Sequence, residues 1–366
     1  MKKLKKIAVF ARILIGLVFI FSGFVKGVDP TGVQYIMHDY IEAYQWDFLN
    51  NFIFVGSFLL CMLEFTVGVL LVFNILPRLT LITVSLMMLY FTGTTLYDAI
   101  YNPVHDCGCF GSAVKLTNWE TFYKNVVLDI LLIIVWLSRS NMKSWLACKK
   151  GFVAASAIAI LFLGFEIYNY RYLPVINFLE WKVGRRMLEE NPQPITYYFT
   201  YKNKITGEAK EFLSTELPSA TEWSFVSRRD VDPNKNYANI NISDSEGNDV
   251  TRALLSDNSF NFIIVAYDLS KAEGAYLDSA IALMTKMEER GYYYSILTSS
   301  SPEDVEAYKA KVGNPYLPFY FADDTGIKAI MRSNPGLILL KNSVIYGLWG
   351  KRMLPSVEKL EAIVNC

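Results

Sequence analysis

The chain has 366 residues, 52% of them apolar, and its 35 basic residues balance its 35 acidic ones. This balance gives no electrostatic basis for nucleic-acid binding, and five cysteines are too few for a disulfide-built scaffold. Because the apolar residues are concentrated before residue 170, the sequence predicts a membrane half followed by a soluble half.

The first half contains apolar runs close to the ~20 residues that a helix needs to cross a bilayer. Five such runs are present, at 7–24, 52–73, 79–96, 119–137 and 152–168. The first follows a lysine-rich start but precedes no small-residue cleavage site, so we interpret it as an uncleaved span. In the long loop after it, Asp29-Pro30 predicts the start of an interfacial helix.

Basic residues indicate the orientation of these spans. They lie at the N-terminus, at Arg78 between the second and third spans, and between residues 139 and 150. With five spans, these three regions fall on the same side of the membrane. Cytoplasmic loops are enriched in lysine and arginine. The sequence therefore predicts an inner-membrane protein with a cytoplasmic N-terminus and a periplasmic C-terminal domain.

Ionisable residues inside spans are costly and usually paired or functional. Arg12 and Glu64 fall at similar estimated depths in antiparallel spans, which predicts an ion pair that fixes the bundle. The alternative is an arginine that snorkels to the headgroups and a protonated glutamate. Asp129, in the fourth span, could relay a proton toward the cysteine-containing outer loop that precedes this span, but a polar seam in the bundle is favoured.

Two cysteines lie one residue apart in the loop between the third and fourth predicted spans. Cys107 and Cys109 can bring their Cα atoms within the ~4.4–6.8 Å that a disulfide requires. They could form a redox pair that exchanges disulfides with a partner, a structural closure of the loop, or a metal site with His105. His105, if protonated, would also favour a thiolate. Gly108 and Gly111 predict a tight turn under all three hypotheses.

An apolar bundle with Cys107-Gly108-Cys109-Phe110-Gly111 between its third and fourth spans resembles the MauE branch of the DoxX-like membrane proteins. The resemblance covers about residues 7–138. Further matching positions are Arg12, segment 22–26, Glu64 and Gly68. It implies a four-helix membrane core that supports disulfide formation in, or maturation of, an exported protein. A methylamine-related substrate is not implied, because this chain has an extra span and a large extra domain.

The soluble half begins with strand-like runs at 195–201, 223–227 and 238–243. Strands and helices then alternate, and the order resembles a thioredoxin-like domain of the TlpA kind. In that family a cis-proline precedes the last two strands, and Pro335 would match it. The corresponding redox Cys-x-x-Cys is missing here, because segment 267–272 contains no thiol. We expect a structural or binding role for this domain. Cys366 either folds back toward the cysteine loop or lies in a free tail.

The predicted fold class is an all-α transmembrane bundle, a four-helix core plus a fifth span, followed by a soluble α/β thioredoxin-like domain. The predicted divisions are a four-span domain (1–150), a fifth helix and stem (151–191), a β-rich segment (192–258) and the thioredoxin-like domain (259–366). The leading hypothesis is thiol–disulfide exchange in the cell envelope, with Cys107 and Cys109 as catalytic residues of a candidate oxidoreductase. The alternative is a non-enzymatic membrane scaffold whose external domain holds a partner. Expected partners are the lipid bilayer and an exported or redox protein. No cofactor, metal ion or nucleic acid is predicted.

Overall fold

The structure is a computed structural model that describes residues 2–104, 108–139, 144–189, 193–194, 196–231, 238–272 and 274–365, with side chains from Lys5 onward. Three residues of the predicted sites, His105, Cys107 and Cys366, lie outside this part of the chain. The chain divides into two compact units, Met1–Leu179 and Glu180–Cys366.

The first unit is helical, and four helical segments in its described part are long and apolar enough to cross a membrane. They are α1 (Lys2–Val28), α3 (Ile53–Phe73) with the 3₁₀ turn Asp47–Phe52 before it, α4 (Pro77–Tyr101) and α6 (Cys148–Arg171). Large apolar side chains point outward from them, and Phe10, Leu89 and Leu161 are 66%, 74% and 75% exposed. Such surfaces suit contact with lipid, so four of the five predicted spans coincide with helices that are able to cross a membrane.

The remaining predicted span is helix α5 (Asn118–Leu137), which is not among those four. It carries three ionisable residues, Glu120, Lys124 and Asp129. Its start is fixed by a capping box, in which Glu120 N donates to Thr117 Oγ1 and Thr117 N donates to Glu120 Oε2 at 2.8 Å. Composition therefore does not mark α5 as a span by itself.

Helix α5 nevertheless runs antiparallel to α4 along its whole length and also packs against α1. Polar side chains join α4 and α5 from one end to the other. The pairs are Trp136 Nε1 to Ser85 Oγ (2.8 Å), Thr92 Oγ1 to Asp129 Oδ2 (2.7 Å), Asn125 Nδ2 to Thr95 Oγ1 (3.1 Å) and Asn118 Nδ2 to Asn102 Oδ1 (2.7 Å). We call this row of contacts the polar seam. Asp129 lies within it.

Helices α1 and α3 pack backbone to backbone, and glycines make this approach possible. A Cβ atom on Gly23 would lie 2.5 Å from Phe65 N, and one on Gly68 would lie 2.6 Å from Ile20 N. Gly16 lies further along the same contact, where a Cβ atom would be 2.9 Å from Gly68 O. These contacts fix an antiparallel register between the two helices.

The predicted helix after Asp29 is α2 (Pro30–Ala43). Gly32 N donates to Asp29 Oδ1 at 2.9 Å, which confirms Asp29 as the N-cap. Tyr40 and Tyr44 donate their hydroxyl protons to Asp98 Oδ2 (2.7 Å) and Oδ1 (3.1 Å) near the end of α4. These bonds tie the long first loop to the bundle.

The second unit contains a three-stranded antiparallel sheet, in the order β2-β1-β3. Its strands are β1 (Thr196–Asn203), β2 (Ala209–Leu213) and β3 (Trp223–Val231). The predicted runs at 195–201 and 223–227 fall in β1 and β3, although Ile195 lies outside the described residues. Strand β2 was not predicted, because its short sequence lacks the alternation that marks a strand.

A six-stranded mixed sheet forms the rest of this unit, in the order β4-β7-β6-β5-β8-β9. The strands are β4 (Ile242–Ser243), β5 (Asn261–Val265), β6 (Tyr293–Thr298), β7 (Phe319–Ala322), β8 (Gly336–Lys341) and β9 (Val344–Gly350). Strands β5, β6 and β7 are parallel, whereas β8 is antiparallel to β5. The peptide bond between Asn334 and Pro335, just before β8, is cis.

Helices flank this sheet and complete a mixed α/β unit. They are α7 (Thr251–Leu255), α8 (Gly274–Glu288), α9 (Pro302–Val312), α10 (Asp324–Ile330) and α11 (Val357–Val364). Apolar residues of the sheet and of α8 share one core, in which Phe262, Ile264, Met284 and Leu337 are fully buried. The predicted α/β character of this unit is therefore confirmed.

Candidate functional site

A buried ion pair lies between α1 and α3. Lys26 Nζ is 2.6 Å from Glu64 Oε1, and the two side chains are 8% and 1% exposed. Lys26 Nζ also lies 5.7 Å from the centroid of the Phe91 ring. Two charges withdrawn from water in this way depend on each other, because either one alone would be left unsolvated.

The predicted ion pair between Arg12 and Glu64 was wrong. Arg12 Nη1 donates instead to the backbone carbonyl of Leu71, and Glu64 binds Lys26. The reason is that Arg12 and Glu64 lie at different depths in the bundle. The glycine contacts place Phe65 beside Gly23, so Glu64 lies about three turns, or ~18 Å, along α1 from Arg12.

The cysteine loop makes the tight turn that its glycines predicted. Gly111 N donates to Gly108 O at 2.9 Å, and both glycines have positive φ, +61° and +52° for Gly108 and Gly111 respectively. A Cβ atom on Gly108 would also lie 2.3 Å from Ile36 Cδ1 of α2. One residue beyond the turn, Ser112 Oγ donates to Asp29 Oδ2 at 3.1 Å. The loop is thus fastened to the start of α2.

The same loop is held against α1 and α5. Ser22 Oγ on α1 lies 2.8 Å from the backbone carbonyl of Cys109. The Phe110 ring packs edge-on against Phe21 at 5.4 Å, and Lys124 Nζ of α5 lies 4.4 Å from the Phe110 ring centroid. These contacts place half-buried Cys109 directly over the buried ion pair.

A small cavity of about 30 Å³ separates Cys109 from this pair, enough for roughly one water molecule. Ser22 Oγ borders it and lies 2.7 Å from Glu64 Oε2 as well as 2.8 Å from Cys109 O. One hydroxyl proton serves two acceptors, so Ser22 donates to one of them at a time. Lys26 interacts electrostatically with Cys109, and a lysine ammonium near a thiol favours the thiolate.

Two buried polar residues near this site were not predicted to have a role. Cys61, on α3, interacts electrostatically with Lys26. Glu166, on α6, is 0% exposed, and neither of its carboxylate oxygens has a hydrogen-bond partner among the described residues. The sequence did carry a signal for Glu166, because it is an acid inside a predicted span, as Glu64 is.

Part of the predicted site lies outside the described residues. Of the three ligands in the metal hypothesis, Cys109 is described, whereas His105 and Cys107 are not. Within the described ranges, no group of three or more His, Cys, Asp or Glu residues could hold a metal ion. The described part of the site therefore consists of Cys109 and the residues that surround it.

In the second unit, the stretch after β5 contains segment 267–272, which carries no thiol. Asp268 Oδ1 accepts from Ser270 Oγ at 2.6 Å, and its Oδ2 lies 2.9 Å from Lys271 Nζ. Burial acts to raise the pKa of Asp268, but the hydrogen bonds from Ser270 and Lys271 outweigh it and lower that pKa. Asn334 Nδ2, next to Pro335, donates to Asp268 O at 2.8 Å. The turn at Asp268 is thus hydrogen-bonded to the residue that precedes Pro335.

No curated protein and no solved structure matches this chain. A family model described as "Methylamine utilisation protein MauE" matches residues 4–138. The matched region includes Lys26, Glu64 and the cysteine loop, and it ends before α6 and the second unit begin. In its N-terminal part, the chain is therefore similar to the MauE family of membrane proteins.

Proposed function

We propose that this protein exchanges disulfides with an exported protein through Cys107 and Cys109, at the outer face of the inner membrane. One observation supports this most directly. Cys109 lies above a buried lysine, Lys26, whose charge favours a reactive thiolate. The similarity to MauE over residues 4–138 supports the membrane part of the proposal.

The exchange proceeds through a mixed disulfide. The Cys109 thiolate attacks one sulfur of the partner's disulfide, forming one S–S bond and breaking another, and the released partner thiolate takes up a proton. The thiol of Cys107 then loses its proton and attacks the mixed disulfide. The loop becomes a disulfide and the partner a dithiol, and the reverse sequence oxidises the partner. Lys26 stabilises the attacking thiolate, and Glu64 holds Lys26 in place.

The proposal includes a topology of five crossings. Helix α5 is counted as a crossing in addition to the four candidate spans, because the polar seam joins it along its whole length to α4, which is one of those four. The N-terminus is then cytoplasmic, and the cysteine loop and the second unit are periplasmic. We propose that the second unit is a thioredoxin-like domain that binds the partner in the groove beside Pro335, while the loop performs the exchange.

Thiol trapping in intact cells tests this function. Cys107→Ser, Cys109→Ser and the double variant are compared with Cys148→Ser, which changes an exposed cysteine at the start of α6. We expect one of the single loop variants to accumulate a mixed disulfide with an exported protein. The double variant should abolish it, and Cys148→Ser should leave the exchange unchanged. In the wild-type protein, a membrane-impermeant thiol reagent should label the loop cysteines once they have been reduced.

One outcome would refute the exchange reaction. If the double loop variant leaves the partner's oxidation state unchanged and the protein at normal levels, the cysteines only shape the loop. The protein would then be a membrane scaffold whose second unit holds a partner.

A further inference from the structure

The second unit contains a cavity of about 530 Å³, which lies in the usual range for a small-molecule site. It opens at the end of the sheet at which the parallel strands β5, β6 and β7 begin. Its lining includes Asp257, Asn261, Glu288 and four tyrosines. Neither the family similarity nor the proposed thiol exchange assigns it a role.

The cavity is remote from the partner-binding groove that is proposed beside Pro335. Asn261, which lines the cavity, pairs with Leu340 at one end of β5. Val265, at the other end, pairs with Gly336, the residue after Pro335. The two ends of a five-residue strand are separated by about 13 Å, so a ligand in the cavity would not occupy the groove.

The lining is rich in hydrogen-bond acceptors and negative charge. Asp257 and Glu288 contribute carboxylates, and no lysine or arginine lines the cavity among the described residues. Asn261 is 6% exposed, and its Nδ2 donates to Leu254 O at 2.9 Å. Its Oδ1 is left as an acceptor with no hydrogen-bond partner in the described part of the chain. An anionic ligand would be repelled here, whereas a cation would gain charge pairing with the two carboxylates in addition to hydrogen bonds.

Aromatic rings supply the rest of the wall. Four tyrosines line the cavity, namely Tyr293, Tyr294, Tyr316 and Tyr320. Tyr316 is 90% exposed and Tyr293 is 70% exposed, so their ring faces are available to a ligand. The faces of aromatic rings attract cations, and carboxylates accept the N–H groups of guanidinium and ammonium ions.

We propose that this cavity binds the guanidinium or ammonium group of an organic cation. The carboxylates of Asp257 and Glu288 neutralise the charge and accept its N–H groups, and the tyrosine rings cover the apolar stem. The cation is either a free small molecule or a basic side chain of a peptide, and both present the same group to the site.

Calorimetric titration of the full-length protein in lipid nanodiscs tests the proposal. The probe is N-acetyl-L-arginine amide (arginine amide below), and the control is N-acetyl-L-citrulline amide (citrulline amide below), which has nearly the same shape but carries no positive charge. We expect arginine amide to bind at least about tenfold more tightly than citrulline amide. Equal binding of the two, or no binding of either, would overturn the proposal. Acetyl-Gly-Arg-Gly-amide distinguishes the sources, since tighter binding than arginine amide points to a peptide and weaker binding to a free cation.

Matched variants locate the binding site. Glu288→Gln should weaken arginine amide binding about tenfold, whereas Glu289→Gln changes a neighbouring carboxylate that does not line the cavity and should have no effect. Asp257→Asn should also weaken it, and it retains an acceptor for Ser259 N, which lies 2.8 Å from Asp257 Oδ1. Equal affinity of Glu288→Gln and wild type contradicts the site.

Two controls separate this proposal from folding defects and from thiol exchange. Tyr316→Leu should weaken binding severalfold without loss of thermal stability, because the ring it removes is almost fully exposed. The double variant of Cys107 and Cys109 to serine should bind arginine amide as wild type does. If binding fails only in that variant, the cavity is not an independent site.

Discussion

Lys26 and Glu64 form an ion pair of 2.6 Å in which both side chains are almost fully withdrawn from solvent. The pair joins α1 to α3 directly below Cys109. We therefore expect two separable consequences of this pair, one for the stability of the bundle and one for the reactivity of the loop.

Removing one member of this pair should be more harmful than removing both. Glu64→Gln leaves a buried ammonium unpaired, and we expect it to lower the free energy of unfolding by roughly 3–5 kcal/mol. Lys26→Met/Glu64→Met replaces both charges with apolar side chains and should recover most of that loss. Equilibrium unfolding in mixed micelles measures both. If the double variant is as unstable as the single one, the pair does not behave as a coupled unit.

The same double variant tests the chemistry. Without Lys26, the Cys109 thiolate loses a stabilising ammonium, so mixed-disulfide formation should slow severalfold even in a stable protein. The measurement is the rate at which a small disulfide reagent modifies Cys109, with Cys148→Ser as the background. An unchanged rate would show that Lys26 has only a structural role.

The close contact of α1 with α3 predicts a strong effect of one methyl group. Gly23→Ala would place its Cβ atom 2.5 Å from Phe65 N, so the helices must move apart, at about 1–3 kcal/mol of unfolding free energy. Gly93→Ala is the matched control, since no atom lies within 4 Å of the added Cβ. Thermal melting of the two variants should separate clearly, and equal melting temperatures would contradict the register of these helices.

Asp129 distinguishes a structural seam from a proton relay. Asp129→Ala removes the acceptor of the Thr92 hydroxyl and should lower the free energy of unfolding by about 0.5–2 kcal/mol. Asp129→Asn retains an acceptor and should be milder. We expect both variants to retain normal disulfide exchange in the trapping assay. Loss of exchange in Asp129→Asn, with stability preserved, would instead support a proton relay.

Asp268 should make the stability of the second unit depend on acid. Its pKa is lower in the folded chain than in an unfolded one, so its contribution is complete above about pH 4 and is lost as pH falls through the folded pKa. Asp268→Asn should therefore cost about 1 kcal/mol at neutral pH, and the difference from wild type should vanish in acid.

Thermal unfolding at neutral pH and near pH 3 measures that difference. Ser270→Ala removes one of the donors to Asp268, so its effect should be smaller and should have the same pH dependence. A difference between Asp268→Asn and wild type that stays constant across this range would exclude the carboxylate as its cause.

Local signals in the sequence predicted local structure well. Asp29-Pro30 begins a helix, and the Asp29 cap accepts the expected backbone hydrogen bond from Gly32 N. The turn at Gly108 was predicted for a similar reason. Such features depend on a few neighbouring residues, so they can be read without knowledge of the rest of the fold.

Partners that are distant in sequence were harder to predict. Glu64 pairs with Lys26 and not with Arg12, because the glycine contacts of α1 and α3 decide which residues share a depth. Strand β7 was not predicted, since four residues carry too weak a pattern and only its place between β6 and β4 makes it a strand. A polar seam was expected at Asp129, but its partner Thr92 was not identified, because it lies on a separate helix.

The polar seam has a consequence for how the protein is made. If α5 inserted alone, Glu120, Lys124 and Asp129 would have to enter lipid without polar partners, which is unfavourable in free energy. Beside α4, its Asp129, Asn125 and Trp136 find partners at matched depths. During biogenesis the two helices are therefore expected to enter the bilayer together as a hairpin, with the cysteine loop at its tip as the first segment delivered across.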